Sequence, residues 1–252
     1  MGSIGSNLQE VRVRLARACT AAGRGAHIFT RVPEEVAHAD AVARGVTLLA
    51  VSKTFGADAV REAHAAGARA FGENYVQEAL AKIEALADLR AELQWHLIGP
   101  LQSNKTRPVA ESFDWVHTVD RLKIAERLAA QRPATLPPLC VCLQVNVSGE
   151  ASKSGVAPAE LPALARAVAA LAPERLRLRG LMSIPEPTDD AAAQQRQHRA
   201  LRELFEALRA EGLALDTLSM GMSADLEAAV AEGATIVRVG SAIFGARTYA
   251  RE

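Results

Sequence analysis

The stretch T-L-L-A-V-S-K-T, Thr47–Thr54, determines how the rest of the chain is interpreted. Its apolar run Leu48–Val51 has the length of a strand, and a continuous apolar run bounded by turn residues is typical of a strand buried on both faces. The run leads into Lys53, and Phe55-Gly56 then breaks it. Either the ammonium group of Lys53 reaches water at the strand end, or an apolar or cationic setting makes the amine a nucleophile that is able to form a Schiff base.

From Thr47 onward, a short apolar strand followed by a turn and a helical segment recurs eight times. Such alternation implies parallel strands joined by right-handed helical crossovers. Eight units in 252 residues predict an α/β fold, a TIM (β/α)8 barrel, with an open doubly wound sheet as the alternative. The predicted strands are Leu48–Val51, Ala70–Gly72, Trp95–Ile98, Trp115–Val119, Cys140–Val147, Leu178–Ile184, Leu218–Met220 and Ile236–Val239.

An extra N-terminal helix is predicted over Asn7–Gly23, where Leu8, Val11 and Leu15 recur at helical spacing. Residues 26–45 form either a short helix or a loop, and we expect surface structure without chemistry there. We predict a single domain over residues 1–252, in which residues 1–45 are the N-terminal helix and a variable loop. The N-terminus does not resemble a signal peptide.

Composition excludes several classes of protein. The chain carries 29 basic and 29 acidic residues, whereas a general nucleic-acid binder would show a basic excess. No apolar run reaches the roughly 20 residues that span a bilayer, so we expect no membrane partner. The three cysteines lack ligand-like spacing, which predicts neither a disulfide framework nor a zinc site. Buried free thiols are typical of a reducing compartment, so we expect a cytoplasmic protein.

Two neighbouring strand ends carry phosphate-binding signals. Gly221-Met222-Ser223 and Gly240-Ser241 each precede a predicted helical segment. Backbone N–H groups at the start of a helix favour an anion, and the loops after strands seven and eight are the usual phosphate site of a TIM barrel. Because Ser223 is equally suited to cap a helix, the phosphate prediction depends on the pairing of the two loops.

A phosphate site, a strand-end lysine and a barrel together suggest pyridoxal phosphate bound to Lys53. Arg238 ends the eighth strand and either meets the pyridine nitrogen or forms an ion pair at the barrel rim. Because arginine has no acceptor and keeps its proton, it would leave that nitrogen unprotonated and weaken carbanion stabilisation. His96 either faces the cofactor or bonds a neighbouring backbone group. Cys140 and Cys142 are predicted to be core or barrel-lining residues.

Eight motifs follow one another along the strand ends. They read V-S-K-T (51–54), F-G-E-N-Y-V-Q-E (71–78), W-H-L-I-G-P-L-Q-S-N-K (95–105), Q-V-N-V-S (144–148), S-K-S-G (152–155), R-G-L-M-S-I-P (179–185), L-S-M-G-M-S-A-D-L-E-A-A (218–229) and V-R-V-G-S-A-I-F-G-A-R (237–247). With these motifs the chain resembles the pyridoxal-phosphate homeostasis proteins, the YggS/PROSC family, from about residue 47 to residue 249.

The resemblance implies a monomer with a barrel similar to the N-terminal domain of alanine racemase and with pyridoxal 5'-phosphate on Lys53. It implies a role in vitamin B6 balance with no accepted enzymatic reaction, and apo pyridoxal-phosphate enzymes as possible recipients. Many members continue with Lys-Pro where this chain has Phe55-Gly56, so a second lysine beside the first is absent. The further residues implied around the cofactor are Asn74, Ser219, Met222, Ser223, Arg238, Gly240 and Ser241.

Three functions follow as hypotheses: a carrier that holds and releases pyridoxal phosphate, an amino-acid racemase, and a scaffold that binds only proteins. Racemisation needs an acid or base on each face of the ring. In enzymes resembling alanine racemase the second base comes from an additional β domain, which we expect to be absent because the chain ends soon after the eighth unit. With Arg238 weakening the electron sink, the sequence favours the carrier, and the phosphate loops argue against the scaffold.

Overall fold

The strands form a closed parallel barrel. The computed structural model describes residues 2–33, 45–149 and 154–245. All neighbouring strands are parallel, and the pairing of β2 with β9 closes the eight strands β2–β9 into a ring, which confirms the TIM barrel. The strands are β1 (His27–Phe29), β2 (Gly45–Val51), β3 (Ala70–Glu73), β4 (Gln94–Leu97), β5 (Trp115–Val119), β6 (Leu139–Gln144), β7 (Leu176–Met182), β8 (Thr217–Ser219) and β9 (Ile236–Val239).

A helix follows each barrel strand, and α1 precedes the barrel, so the extra N-terminal helix is also confirmed. In α7 the side chains of Leu201, Phe205 and Leu208 are buried. No helix of the described residues is long and apolar enough to cross a bilayer. The α-helices are α1 (Ile4–Ala21), α2 (Ala57–Ala65), α3 (Val76–Ala85), α4 (Thr106–Ser112), α5 (Leu122–Gln131), α6 (Leu161–Ala169), α7 (Ala191–Ala210), α8 (Leu226–Ala231) and α9 (Ser241–Phe244).

Strand β2 is apolar because both of its faces are buried. Leu48 and Ala50 pack in the layer between strands and helices, while Leu49 and Val51 belong to a second cluster inside the barrel. Alternate side chains of a strand point to opposite faces, so a strand between two apolar layers needs apolar residues at every position. Burying one such side chain stabilises the fold by about 1.5–3 kcal/mol.

The region before β2 differs from the prediction. Residues 27–29, which were expected in a loop or a short helix, form β1 beside β2. Thr47 pairs with both Phe29 and Ile236, so β1 lies along the edge of β2 that does not face β9. A strand of three residues is too short to show a period in the sequence. The rest of the segment, residues 34–44, lies outside the described residues.

Some boundaries differ by a few residues. Strand β6 ends at Gln144, and the predicted extension to Val147 continues only as a single bridge between Val145 and Val156. Strand β7 spans Leu176–Met182, so it begins and ends two residues earlier than predicted. These differences leave the order of the eight units unchanged.

Candidate functional site

A cavity of about 380 Å³ lies where the carboxyl ends of the barrel strands meet. Its volume is in the range of small-molecule pockets. Ser219 does not line the cavity, since it is fully buried and bonded to Arg238 beneath it. The other seven predicted site residues line the cavity together: Lys53, Asn74, Met222, Ser223, Arg238, Gly240 and Ser241.

Lys53 occupies a tight turn at the end of β2. Phe55 N–H donates to the Ser52 carbonyl at 3.1 Å, which makes Ser52–Phe55 a hydrogen-bonded β-turn; we call it the Lys53 turn. Its third residue, Thr54, has φ 69° and is the only non-glycine residue with positive φ in the described part of the chain. Because this conformation is strained for a β-branched residue, neighbouring groups must hold the turn.

Three charged side chains, Glu73, Glu78 and Lys82, form a partly buried cluster beside this turn, and we call them the Lys82 cluster. Lys82 is 5% exposed, and its Nζ donates to Glu73 Oε1 at 2.8 Å and to Glu78 Oε1 at 2.7 Å. Nζ also donates to the Ser52 carbonyl at 2.7 Å. Ser52 Oγ donates to Glu73 Oε1 at 2.6 Å, and Thr54 N–H donates to Glu78 Oε1 at 2.5 Å.

Glu73 is fully buried at the end of β3. Burial raises the pKa of this carboxyl above its ordinary value, although Lys82 and Ser52 act in the opposite direction. Its second oxygen, Oε2, has no hydrogen-bond partner among the described residues. The carboxylate therefore pays a desolvation cost that its partners only partly offset.

Arg238 lies on β9 at the floor of the cavity and is 4% exposed. Its Nη1 donates to the Ser219 carbonyl at 2.7 Å and to Ser219 Oγ at 2.9 Å, and Nη2 donates to the Ser183 carbonyl at 2.8 Å. Burial lowers its pKa to about 10, so it stays cationic at neutral pH. No described carboxylate lies within 4 Å of it, and the predicted alternative of a rim ion pair is not observed there.

A column of hydrogen bonds runs from Arg238 into the barrel interior. Ser219 Oγ lies 2.8 Å from His117 Nδ1, and His117 Nε2 lies 2.9 Å from His96 Nδ1. His96 Nε2 lies 3.1 Å from Gln94 Oε1. Gln94 Oε1, which also accepts from Val32 N–H, can only accept, and a neutral imidazole has a single N–H, so each group in the column accepts from the side of Arg238 and donates toward Gln94.

Both histidines of this column are neutral. Burial lowers the pKa of His96 to about 3 and that of His117 well below its ordinary value. His96 bonds two side chains instead of the backbone group that the sequence suggested, and its ring stacks on Trp115 at 5.5 Å. Sequence reasoning missed His117 because it lies in the middle of a strand. Neutral imidazoles hold Arg238 in place without adding charge beneath it.

The two glycine-containing loops after β8 and β9 lie side by side because these strands pair. Gly221 has φ 91°, and a Cβ there would come within 2.5 Å of Ala229 Cβ, so the first loop requires glycine. Among the described residues, the backbone N–H groups of Ser223 and Ala224 in the first loop, and of Ser241 and Ala242 at the start of α9, have no acceptor. Unbonded N–H groups converging at helix starts are suited to an anion.

Buried side chains beneath the surface hold the loop after β8 in place. Met222 N–H donates to Asp225 Oδ1 at 2.7 Å, and His198 Nε2 lies 2.9 Å from Asp225 Oδ2. Burial acts to raise the pKa of Asp225, but the bonds from His198 and from Met222 N–H together lower it below its ordinary value. Sequence reasoning missed this pair because 27 residues separate its members.

Helix α1 contacts both loops from outside. Arg14 Nη1 donates to the Ser223 carbonyl at 2.9 Å, while its Nε and Nη2 bond Glu227 at 2.7 Å each. Asn7 Nδ2 donates to the Ile243 carbonyl in α9 at 2.9 Å. The helix that the sequence predicted only as an addition to the barrel therefore helps to position the site.

The residues around this cavity fit pyridoxal phosphate. Lys53 supplies an amine for an aldehyde, and the free N–H groups of the two loops suit a phosphate. Three bonds use three of the five N–H donors of Arg238, which leaves donors for a ring nitrogen. Asn74 Oδ1 is buried without a partner in the described part, so it is open to a ligand's hydroxyl. The described residues contain no cluster of metal-ligating side chains.

A larger groove of about 610 Å³ runs along α1. Its polar groups include Arg14 and Glu227, which already bond each other. It contains no strand-end residue, and in this fold the strand ends carry function. The cavity around Lys53 is therefore the better candidate despite its smaller volume.

Comparison with known proteins identifies the family. The model of the alanine racemase N-terminal domain matches residues 31–248. A pyridoxal phosphate homeostasis protein of Pseudomonas aeruginosa is 61% identical over 249 residues, which cover 99% of this chain and 98% of the relative. Another from Escherichia coli is 52% identical over 253 residues and the whole of both chains. The chain belongs to the pyridoxal phosphate homeostasis protein family.

Solved structures agree with this assignment to the pyridoxal phosphate homeostasis proteins. PipY of Synechococcus elongatus, solved with pyridoxal phosphate bound, is 39% identical with a TM-score of 0.76, and the match covers 96% of this chain and 100% of PipY. Alanine racemase of Corynebacterium glutamicum has a TM-score of 0.60 at 20% identity, and the match covers 81% of this chain and 57% of the racemase. That second likeness shows a shared fold alone.

Proposed function

We propose that this pyridoxal phosphate homeostasis family member holds pyridoxal 5'-phosphate at the mouth of its barrel and buffers or supplies it within the cell, without catalytic turnover. The observation that carries the proposal is the convergence in one cavity of an amine, a guanidinium and unbonded loop N–H groups. The names of the relatives and the pyridoxal phosphate in PipY support it. The proposed site consists of Lys53, Asn74, Ser219, Met222, Ser223, Arg238, Gly240 and Ser241.

In the proposed complex each group has one task. The amine of Lys53 attacks the aldehyde carbon and a water molecule leaves, which forms a carbon–nitrogen double bond. The loop N–H groups and the hydroxyls of Ser223 and Ser241 hold the phosphate. When bound, pyridoxal phosphate supplies an electron sink that depends on protonation of its ring nitrogen. Arg238, as a donor only, keeps that nitrogen unprotonated and so keeps the sink weak.

The same residues disfavour the racemase. Lys53 and Arg238 are the only ionisable side chains that line the described cavity, and Arg238 stays cationic at neutral pH. Racemisation needs two groups that exchange protons, one on each face of the ring. A binding role requires only the amine and the anchoring contacts, which the cavity has.

The finer parts of the proposal concern the cell. We expect a monomer that passes pyridoxal phosphate to apo enzymes that depend on it. A cytoplasmic location is supported by the free state of Cys19, Cys140 and Cys142, because thiols persist in reducing compartments. Neither nucleic acid nor membrane is proposed as a partner.

The visible absorption spectrum of the purified protein mixed with pyridoxal phosphate tests the proposal. We expect a band for the carbon–nitrogen double bond in the wild type and its loss in Lys53→Ala. Lys123→Ala, on the exposed face of α5, is the control and should keep the band. A colourless wild type overturns the proposal, and robust amino-acid racemisation by the wild type overturns its non-catalytic part.

A further inference from the structure

We propose that the Lys82 cluster is a positioning device that holds the strained Lys53 turn in the form that presents the amine of Lys53 to the cavity. This inference rests on the proposed function and assigns roles to residues that do not line the cavity. It is based on geometry, because the Lys82 cluster bonds the residues on either side of Lys53.

The Lys82 cluster bonds both neighbours of Lys53 in the turn. Ser52, before Lys53, is bonded through its carbonyl to Lys82 and through its hydroxyl to Glu73. Thr54, after Lys53, is bonded through its N–H to Glu78. The bonds therefore fix the backbone on both sides of one residue, and that residue is the one whose side chain reaches the cavity.

The backbone of the Lys53 turn is strained. Thr54 has φ 69°, a conformation that glycine adopts readily and a β-branched residue resists. Strained backbone persists only where its surroundings over-determine it. Here the bond from Thr54 N–H to Glu78 holds one side, and stacking of Phe55 on Phe244 at 5.2 Å holds the other. Phe244 belongs to α9, so the turn is also tied to the helix that follows the second phosphate loop.

A purely stabilising role does not account for the Lys82 cluster. Burying charges is expensive, and apolar residues of similar size often stabilise a core as well as a buried ion pair does. The cluster is not even fully satisfied, since Glu73 Oε2 has no partner among the described residues. An arrangement that is costly for stability but fixes both flanks of Lys53 is explained by the orientation that it imposes.

Two ligands separate positioning from general damage. Pyridoxal phosphate needs both the phosphate site and the amine, whereas pyridoxine 5'-phosphate has the same ring and phosphate but no aldehyde. Lys82→Met keeps the length of the side chain and removes its charge. We expect this variant to bind pyridoxal phosphate at least about tenfold more weakly and to form the visible band about tenfold more slowly. Its affinity for pyridoxine 5'-phosphate should change by less than about twofold.

Two further variants keep the test decisive. If Lys82→Met does not fold, the double variant Glu73→Gln/Lys82→Met, which leaves no unpaired charge at position 73, replaces it with the same expectation. Lys123→Met, on the exposed face of α5, is the control and should bind both ligands as the wild type does. Equal losses for both ligands, or no loss for either, overturn the positioning role. A wild type without the band contradicts the proposed function itself, so the two failures are distinguishable.

Discussion

The two walls of the cavity are held by different means. The amine wall, the Lys53 turn, depends on a compact ion cluster in which Glu73 and Lys82 are almost completely buried. The loops after β8 and β9 form the wall that we propose binds the phosphate, here called the phosphate wall. It depends on separate contacts: Asp225 from inside and the half-exposed Arg14 from outside. Buried charges without partners are costly, whereas exposed pairs contribute little. A single substitution should therefore cost much stability in the amine wall and less in the phosphate wall.

The largest expected effect is the loss of stability when the cation that holds the amine wall is removed. Lys82→Ala leaves the buried carboxyl of Glu73 without its cation, which should lower the free energy of unfolding by about 3–5 kcal/mol. The matched control is Arg166→Ala, whose partner Glu211 is exposed, and it should cost less than about 1 kcal/mol. Urea unfolding of the cofactor-free variants measures both. Equal costs would show that buried charge does not hold this wall.

The next effect concerns the phosphate wall. His198 is fully buried and bonds Asp225, so His198→Phe removes one bond to a carboxylate and should cost about 1.5–3 kcal/mol of stability. Because the phosphate loop loosens, affinities for pyridoxal phosphate and for pyridoxine 5'-phosphate should both fall by about threefold to tenfold. Equilibrium dialysis with the two ligands compares this variant with Lys82→Met. A loss confined to pyridoxal phosphate would contradict the assignment of His198 to the phosphate wall.

The two walls should also respond to pH with opposite signs. Glu73 has a pKa raised above its ordinary value of 4.5, so the folded state binds its proton more tightly than the unfolded state does. Its contribution to stability is present at low pH and is lost as pH rises through the raised pKa. The pKa of Asp225 is lowered below 3.8, so its contribution is present above that value and is lost as pH falls through the lowered pKa.

Two amide variants separate the contributions of Glu73 and Asp225 to the pH dependence of stability. As pH rises above 4.5, the unfolding free energy of the wild type should fall relative to that of Glu73→Gln. The difference between the wild type and Asp225→Asn should stay constant near neutral pH and shrink only in acid. Urea titrations across this pH range measure both differences. If both differences changed with pH in the same direction, the proposed contrast between the two walls would be wrong.

The sequence predicts the barrel and the cavity lining better than it predicts what supports them. Lys53, Arg238 and the loop glycines lie at strand ends, where local sequence and fold together indicate function. Lys82 lies within α3, nine residues after Glu73. His117 lies in the middle of β5, where position along the chain does not indicate a role at the site. Their roles depend on contacts between elements, which periodicity does not reveal.

The smallest expected effect tests whether α1 contributes to the phosphate wall. Arg14 is 42% exposed and pairs with Glu227, as Arg61 is 46% exposed and pairs with Asp88 on the surface. Only Arg14 also donates to a carbonyl of the phosphate loop, that of Ser223. Arg14→Gln should therefore weaken binding of pyridoxine 5'-phosphate by about twofold, and less at high salt, while Arg61→Gln leaves it unchanged. If the two variants behave alike in dialysis at low and high salt, α1 covers the barrel without positioning its site.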